Sequence, residues 1–115
     1  MEENVTEPCT NCTVEELGQK QTRGDAFLLL DVRTAEELAM ASLEGAHHIP
    51  LDLLEAELHQ LEAWRDGEIV VMCHHGVRSA MAQRFLLSEG FSNVRNLTGG
   101  IDAYSSRVDS AISRY

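Results

Sequence analysis

Apolar residues in this chain fall into short runs and helical stripes that alternate along its length. Ala26-Phe27-Leu28-Leu29-Leu30-Asp31-Val32 and Ile69-Val70-Val71-Met72-Cys73 are strand-length runs with almost no polar interruption. Such runs suit strands buried on both faces of a parallel sheet. Val94 to Leu97 predicts a further strand. His48-Ile49-Pro50-Leu51 predicts a short extended piece, because a proline disfavours helix at the residue before it.

Between these runs lie helix signals. Thr13-Val14-Glu15-Glu16 and Thr34-Ala35-Glu36-Glu37 both read as capping boxes, in which the threonine caps an amide and the glutamate reaches back. They predict helices from Val14 to about Lys20 and from Thr34 to about Ala41. Asp52-Leu53-Leu54-Glu55 reads as a third cap, for a helix carrying Leu54, Leu58, Leu61 and Trp64 on one face and ending at Gly67. Ser79 to Glu89 predicts a helix with Ala82, Phe85 and Leu86 inward and Gly90 as its stop. Thr98-Gly99-Gly100 predicts a turn, and Ile101 to about Ser106 a last short helix. Strands alternating with helices at this spacing give an α/β fold with a parallel sheet covered on both faces. Residues 1–9 are expected to form a flexible N-terminal tail and residues 10–115 one domain.

Composition narrows the function classes. The chain has 115 residues, with 9 Lys and Arg against 19 Asp and Glu, for a net charge of −10. That balance argues against a nucleic-acid partner, which needs a basic face. No apolar run approaches the roughly 20 residues of a membrane span, and the start MEENVTEPCT lacks the pattern of a signal peptide. Three cysteines, Cys9, Cys12 and Cys73, make no disulfide framework and suit a reducing, cytoplasmic setting. Cys9-x-x-Cys12 is half of a zinc site at most; no second pair supplies the other ligands. It is expected to carry no function and to sit in a loose segment, the alternative being a persulfide relay or a regulatory disulfide.

The candidate chemistry follows the Ile69–Met72 run. In open α/β sheets the site lies beyond the carboxyl ends of the strands. There the chain reads Cys73-His74-His75-Gly76-Val77-Arg78-Ser79 and runs directly into a helix. Converging backbone N–H groups and the helix dipole favour an anion in such a loop. The anion here includes the Cys73 thiolate itself, whose pKa should fall. Gly76 lets the backbone turn in, and Arg78 adds a charge that does not titrate. His74 and His75 flank the nucleophile as binding residues. Asp31 and Arg33 form either an ion pair near the loop or a plain strand-end cap.

These residues resemble the active-site loop of the rhodanese domains, which are sulfurtransferases. Leu29-Leu30-Asp31-Val32-Arg33 with Glu36-Glu37 is similar to the second-strand signature of the family, and Gly45-Ala46-His47-His48-Ile49-Pro50 to its Gly-Ala…Ile-Pro segment. Gly90-Phe91, Val94 and Leu97-Thr98-Gly99-Gly100-Ile101 resemble its closing strand and double-glycine turn. The chain departs from the pattern at Ala41-Ser42, where the family often has Gly-His, and at Tyr104, where it usually has Trp.

The resemblance implies a three-layer rhodanese-like fold with a mostly parallel central sheet and helices on both faces. It also implies a sulfane-sulfur transfer through a Cys73 persulfide, cradled by His74, His75, Gly76, Val77, Arg78 and Ser79, with no metal or organic cofactor. The donor would be thiosulfate or a persulfide. The acceptor would be a small thiol, a sulfur carrier protein or a thioredoxin-like thiol, with neither nucleic acid nor membrane involved. The tail residues are similar to the rhodanese modules fused to adenylyltransferases of the molybdopterin and thiamine sulfur-carrier pathways. The alternatives are a cysteine phosphatase or arsenate reductase, which use five residues between Cys and Arg where this chain has His74 to Val77, and a non-catalytic rhodanese-like binding module.

Overall fold

The structure, a computed structural model, describes residues 10–115; Cys9 and the expected tail lie outside the described residues. In chain order the elements are β1 (Thr10–Cys12), α1 (Val14–Arg23), β2 (Leu28–Asp31), α2 (Ala35–Met40), β3 (His47–His48), two 3₁₀ segments (Leu51–Leu53 and Leu58–Trp64), β4 (Glu68–Met72), α3 (Val77–Ser88), β5 (Asn93–Leu97) and α4 (Gly100–Arg107). The strands form one sheet in the order β1-β5-β4-β2-β3, with all four pairings parallel. No described helix is long and apolar enough to cross a membrane.

Side chains alternate across a strand, so each central strand feeds two cores. Ile69, Val71 and Cys73 face a core with Leu30, Leu54, Leu61, Ala82 and Leu86, beneath α3 and the 3₁₀ segments. Val70 and Met72 face the other core with Cys12, Leu17, Leu97, Ile101 and Tyr104, beneath α1 and α4. The three-layer arrangement therefore follows from unbroken apolar runs on β2 and β4.

Both capping boxes form as read. Thr13 and Thr34 each accept from the amide three residues on, and Glu16 and Glu37 return the bond. Two expectations are corrected. The stretch from Asp52 to Trp64 is not one α-helix but two 3₁₀ segments, and Asp52 caps nothing. Its apolar residues recur every three positions (Leu51, Leu54; Leu58, Leu61, Trp64), which matches the ~3.0 residues per turn of a 3₁₀-helix. The i→i+3 bonds Leu54 N to Leu51 O and Arg65 N to Glu62 O follow that period.

The second correction concerns Cys12. It is not in a loose segment: it closes β1, pairs opposite Leu97 on β5, and is 0% exposed. Burial pushes its thiol above the ordinary value.

Candidate active site

Cys73 directly follows β4, and Gly76 (φ +112°) turns the chain into the first residue of α3, Val77. The helix starts two residues earlier than the periodicity indicates, so Arg78 and Ser79 lie in its first turn, where amides have no intrahelical partner. Those amides find the sulfur. Gly76 N donates to Cys73 Sγ at 3.1 Å and Ser79 N at 3.4 Å. Cys73 is itself only 1% exposed.

The ionisation of Cys73 is a contest. Burial raises its pKa; the Ser79 hydroxyl and the amides of Ser79, Gly76 and His75 outweigh it, and the thiol lies below its ordinary value. The hydroxyl works conditionally. Ser79 Oγ lies 3.3 Å from Sγ and gives its single proton to Asn96 Oδ1 at 2.5 Å. Asn96 is held in that orientation because its Nδ2 donates to the Gly76 carbonyl at 3.1 Å. While Asn96 holds the proton, Ser79 can only accept from the thiol. To donate to a Cys73 thiolate the hydroxyl has to turn from Asn96 to the sulfur, whereas the amides already face it. We expect Ser79→Ala to move the pH midpoint of Cys73 alkylation upward, because thiolate loses a donor and thiol only a weaker acceptor. The depressed thiol gains reactivity as pH rises through its own pKa, so the wild-type curve should rise first; coincident curves would remove Ser79 from the account.

Arg78 does not offer a free charge to the loop. Its two terminal nitrogens bond both oxygens of Glu37 at 2.6 and 2.9 Å. Glu37 also accepts from the Thr34 amide and from the Tyr115 hydroxyl, the latter at 3.0 Å. The Arg78 guanidinium first, against burial, and then the Thr34 amide hold the Glu37 carboxyl far below the usual range. Behind it, Asp31 and Arg33 do pair, as a bidentate bridge 0% exposed on both sides. Arg33 spends its remaining donors on Ala41 O, Glu37 O and Tyr115 Oη. The chain Asp31–Arg33–Tyr115–Glu37–Arg78 thus ties β2, α2 and the C-terminal residue to the start of α3.

Glu37→Gln should cost about 1–2 kcal/mol, since it loses a charge-assisted pair and weakens a cap, with discount for the partial exposure of Arg78. The sign follows from the depressed carboxyl. Its stabilising contribution is full at neutral pH and is lost as pH falls through and below the ordinary carboxylate range. Urea denaturation at pH 7 should therefore separate wild type from Glu37→Gln, and the gap should narrow in acid.

The remaining loop residues divide. His74 stacks on Tyr115 at 4.0 Å between centroids, nearly parallel, while His75 is largely exposed and lies 3.6 Å from Asp102. The Val77 side chain, 73% exposed, stands out from the start of α3. The loop itself is held from below by the first turn of α4. Ile101 N donates to Cys73 O at 2.9 Å and Asp102 N to His74 O at 3.1 Å. Sequence reasoning took Gly99-Gly100 as a turn only, and it missed Asn96, Asp102 and Tyr115, whose roles arise from contacts far along the chain. A cleft of about 650 Å³ lined by residues of α1 and α4 contains none of the loop residues.

Comparison with known proteins agrees with this geometry. The profile described as "Rhodanese-like domain" matches residues 13–107. The "Adenylyltransferase and sulfurtransferase MOCS3-2" of Zea mays is 35% identical over 111 residues, covering 92% of this chain but 23% of that protein. The chain thus spans about a quarter of the length of that curated relative. A "Sulfurtransferase" of Allochromatium vinosum is 32% identical over 79% of this chain and 83% of its own length. Among solved structures, the human single-domain sulfurtransferase TSTD1 superposes with a TM-score of 0.75 at 27% identity, covering 86% of this chain and 97% of that one. With the profile spanning most of the chain and the fold and strand-end cysteine loop in place, this protein belongs to the rhodanese-like family, which includes single-domain sulfurtransferases.

Proposed function

We propose that this chain is a sulfurtransferase that carries a sulfane sulfur on Cys73. The supporting observation is the sulfur itself: the Cys73 Sγ at a strand end, facing the amides of Gly76 and Ser79 at 3.1 and 3.4 Å. In the first half-reaction the thiolate attacks the outer sulfur of thiosulfate or of a persulfide. An Sγ–S bond forms, the S–S bond of the donor breaks, and sulfite or a thiolate leaves with the electron pair. The outer sulfur of the Cys73 persulfide takes the position the amides face. In the second half-reaction an acceptor thiolate, or cyanide in an assay, attacks that outer sulfur and Cys73 leaves as thiolate. Neither half-reaction has a net redox change beyond the sulfur transferred.

Arg78 acts here as a brace that fixes the helix start, its charge answered by Glu37. This arrangement favours persulfide donors over a dianion, and a small thiol or a sulfur carrier protein as acceptor. The reading is also preferred to a phosphatase. A phosphate-wrapping loop needs its arginine on the oxyanion, and Arg78 is engaged bidentately with Glu37.

The test is intact mass. Protein exposed to a glutathione persulfide or to thiosulfate should gain the mass of one sulfur atom, on the Cys73 peptide, and lose it to added thiol or cyanide. No gain with either donor, or turnover of an aryl phosphate instead, would replace the proposal.

A further inference from the structure

The chemistry above leaves the two histidines that follow the nucleophile unused beyond their backbones. Their side chains converge with a carboxylate from another element. The His74 and His75 rings are 3.9 Å apart between centroids, and His75 Nε2 is 3.6 Å from Asp102 Oδ2. One nitrogen of each ring and one oxygen of Asp102 all lie within 4.8 Å of one another. His74 Nε2 is buried and has no hydrogen-bond partner. A buried polar atom without a partner is uncommon and calls for a physical reason.

The three groups are also held in place from two directions. The bond from Asp102 N to His74 O fixes the first turn of α4 against the loop, and Tyr115 stacks flat on His74. Tetrahedral bonds of about 2.0–2.1 Å place ligand atoms roughly 3.3–3.4 Å apart. Closing the set on an ion requires the exposed His75 side chain to rotate inward. Two imidazoles and one carboxylate match divalent ions of borderline softness, such as zinc, cobalt or nickel. They do not match magnesium or calcium, which take oxygen.

Asp102 is at present shared with a cation. Arg114 Nε and Nη2 bond its two oxygens at 3.0 and 3.1 Å. The Arg114 side chain is 60% exposed, so exchanging that surface pair for a metal ion costs little. We propose that His74, His75 and Asp102 form a binding site for a divalent transition-metal ion at the rim of the Cys73 loop, in competition with Arg114. An ion there pins the two residues beside the nucleophile, one of which, His75, also turns its amide toward the sulfur.

The experiment uses the full chain with Cys9→Ser and Cys73→Ser, which leaves only the buried Cys12 thiol, so the result does not depend on sulfur transfer. Titration with Zn²⁺ by calorimetry, and with Co²⁺ by visible absorption, should saturate at one ion per chain. Imidazole ¹⁵N resonances of His74 and His75 should shift together. In this background His75→Ala and Asp102→Asn should each weaken binding by roughly tenfold or more, and Arg114→Gln should tighten it several-fold. Arg114 is exposed, so that variant remains informative if substitution of Asp102 perturbs the fold. No saturable binding below millimolar ion, equal binding in the His75→Ala chain, or no tightening in the Arg114→Gln chain would overturn the site.

Discussion

Cys73→Ser should lower sulfur transfer by about a thousandfold or more, with either donor, while the protein remains folded. A loss of that size corresponds to about 4 kcal/mol of transition-state stabilisation. It is expected because the serine oxygen has no accessible anion at neutral pH and forms no persulfide. The fold should tolerate the exchange. The side chain sits at a strand end where Gly76 N and Ser79 N already donate to it, and a hydroxyl accepts the same bonds. The Ser79–Asn96–Gly76 link would persist, since none of its bonds requires sulfur. The measurement pairs a thiosulfate:cyanide assay and a persulfide:thiol assay with thermal unfolding. Activity near wild type would move the reaction off Cys73. An unfolded variant would instead assign the thiol a packing role within its core.

That the loop is the candidate site is legible from residue order alone. A buried apolar run, then Cys-x-x-Gly-x-Arg-Ser opening a helix, fixes both the strand end and the amides that face the sulfur. The parallel sheet is legible for the same reason, because β2 and β4 lack polar alternation. What the chain order hides is anything set by contacts between distant segments. β1 is three residues long and polar at two of them; it is a strand only because β5 offers it an edge. Cys12 consequently reads as tail when taken locally and as core when paired. Side-chain alternation also puts Cys12 and Cys73 in the cores on opposite faces of the sheet, so the folded chain provides no direct path for sulfur between them. Arg78 is the converse case. Its position in the loop suggests a charge aimed at substrate, and only the fold reveals that Glu37, 41 residues earlier, has claimed it. The 3₁₀ geometry of Leu58–Trp64 was present in the three-residue spacing of its apolar positions but is easily mistaken for the helical one.

Gly100→Ala should destabilise the protein by about 3–5 kcal/mol, near the upper end for a single substitution. A β-carbon at this position would lie 2.4 Å from the carbonyl oxygens of both Cys73 and His74, and 2.5 Å from the His74 carbonyl carbon. These are backbone atoms, so no rotamer change relieves the overlap. The residue also has φ +62°, in the left-handed region that a side chain disfavours. Relief requires α4 to back away from the loop. That movement breaks the bonds from Ile101 N to Cys73 O and from Asp102 N to His74 O, which orient the loop peptides. Once those carbonyls turn, the amides beyond them no longer converge on Sγ, and the Cys73 thiol should return toward its ordinary value. Glycines elsewhere supply the control. Gly45 has φ +84° but open space where its β-carbon would go, so Gly45→Ala should cost only the backbone strain, about 1 kcal/mol. Gly99→Ala, whose β-carbon would meet the Ala103 methyl at 2.6 Å, should fall between the two, because α4 can shift slightly to relieve a side-chain contact. Urea denaturation of the three variants should give that order. The pH profile of Cys73 alkylation should move upward in Gly100→Ala and stay in place in Gly45→Ala. Equal stability losses at the two positions would mean that α4 does not brace the Cys73 loop.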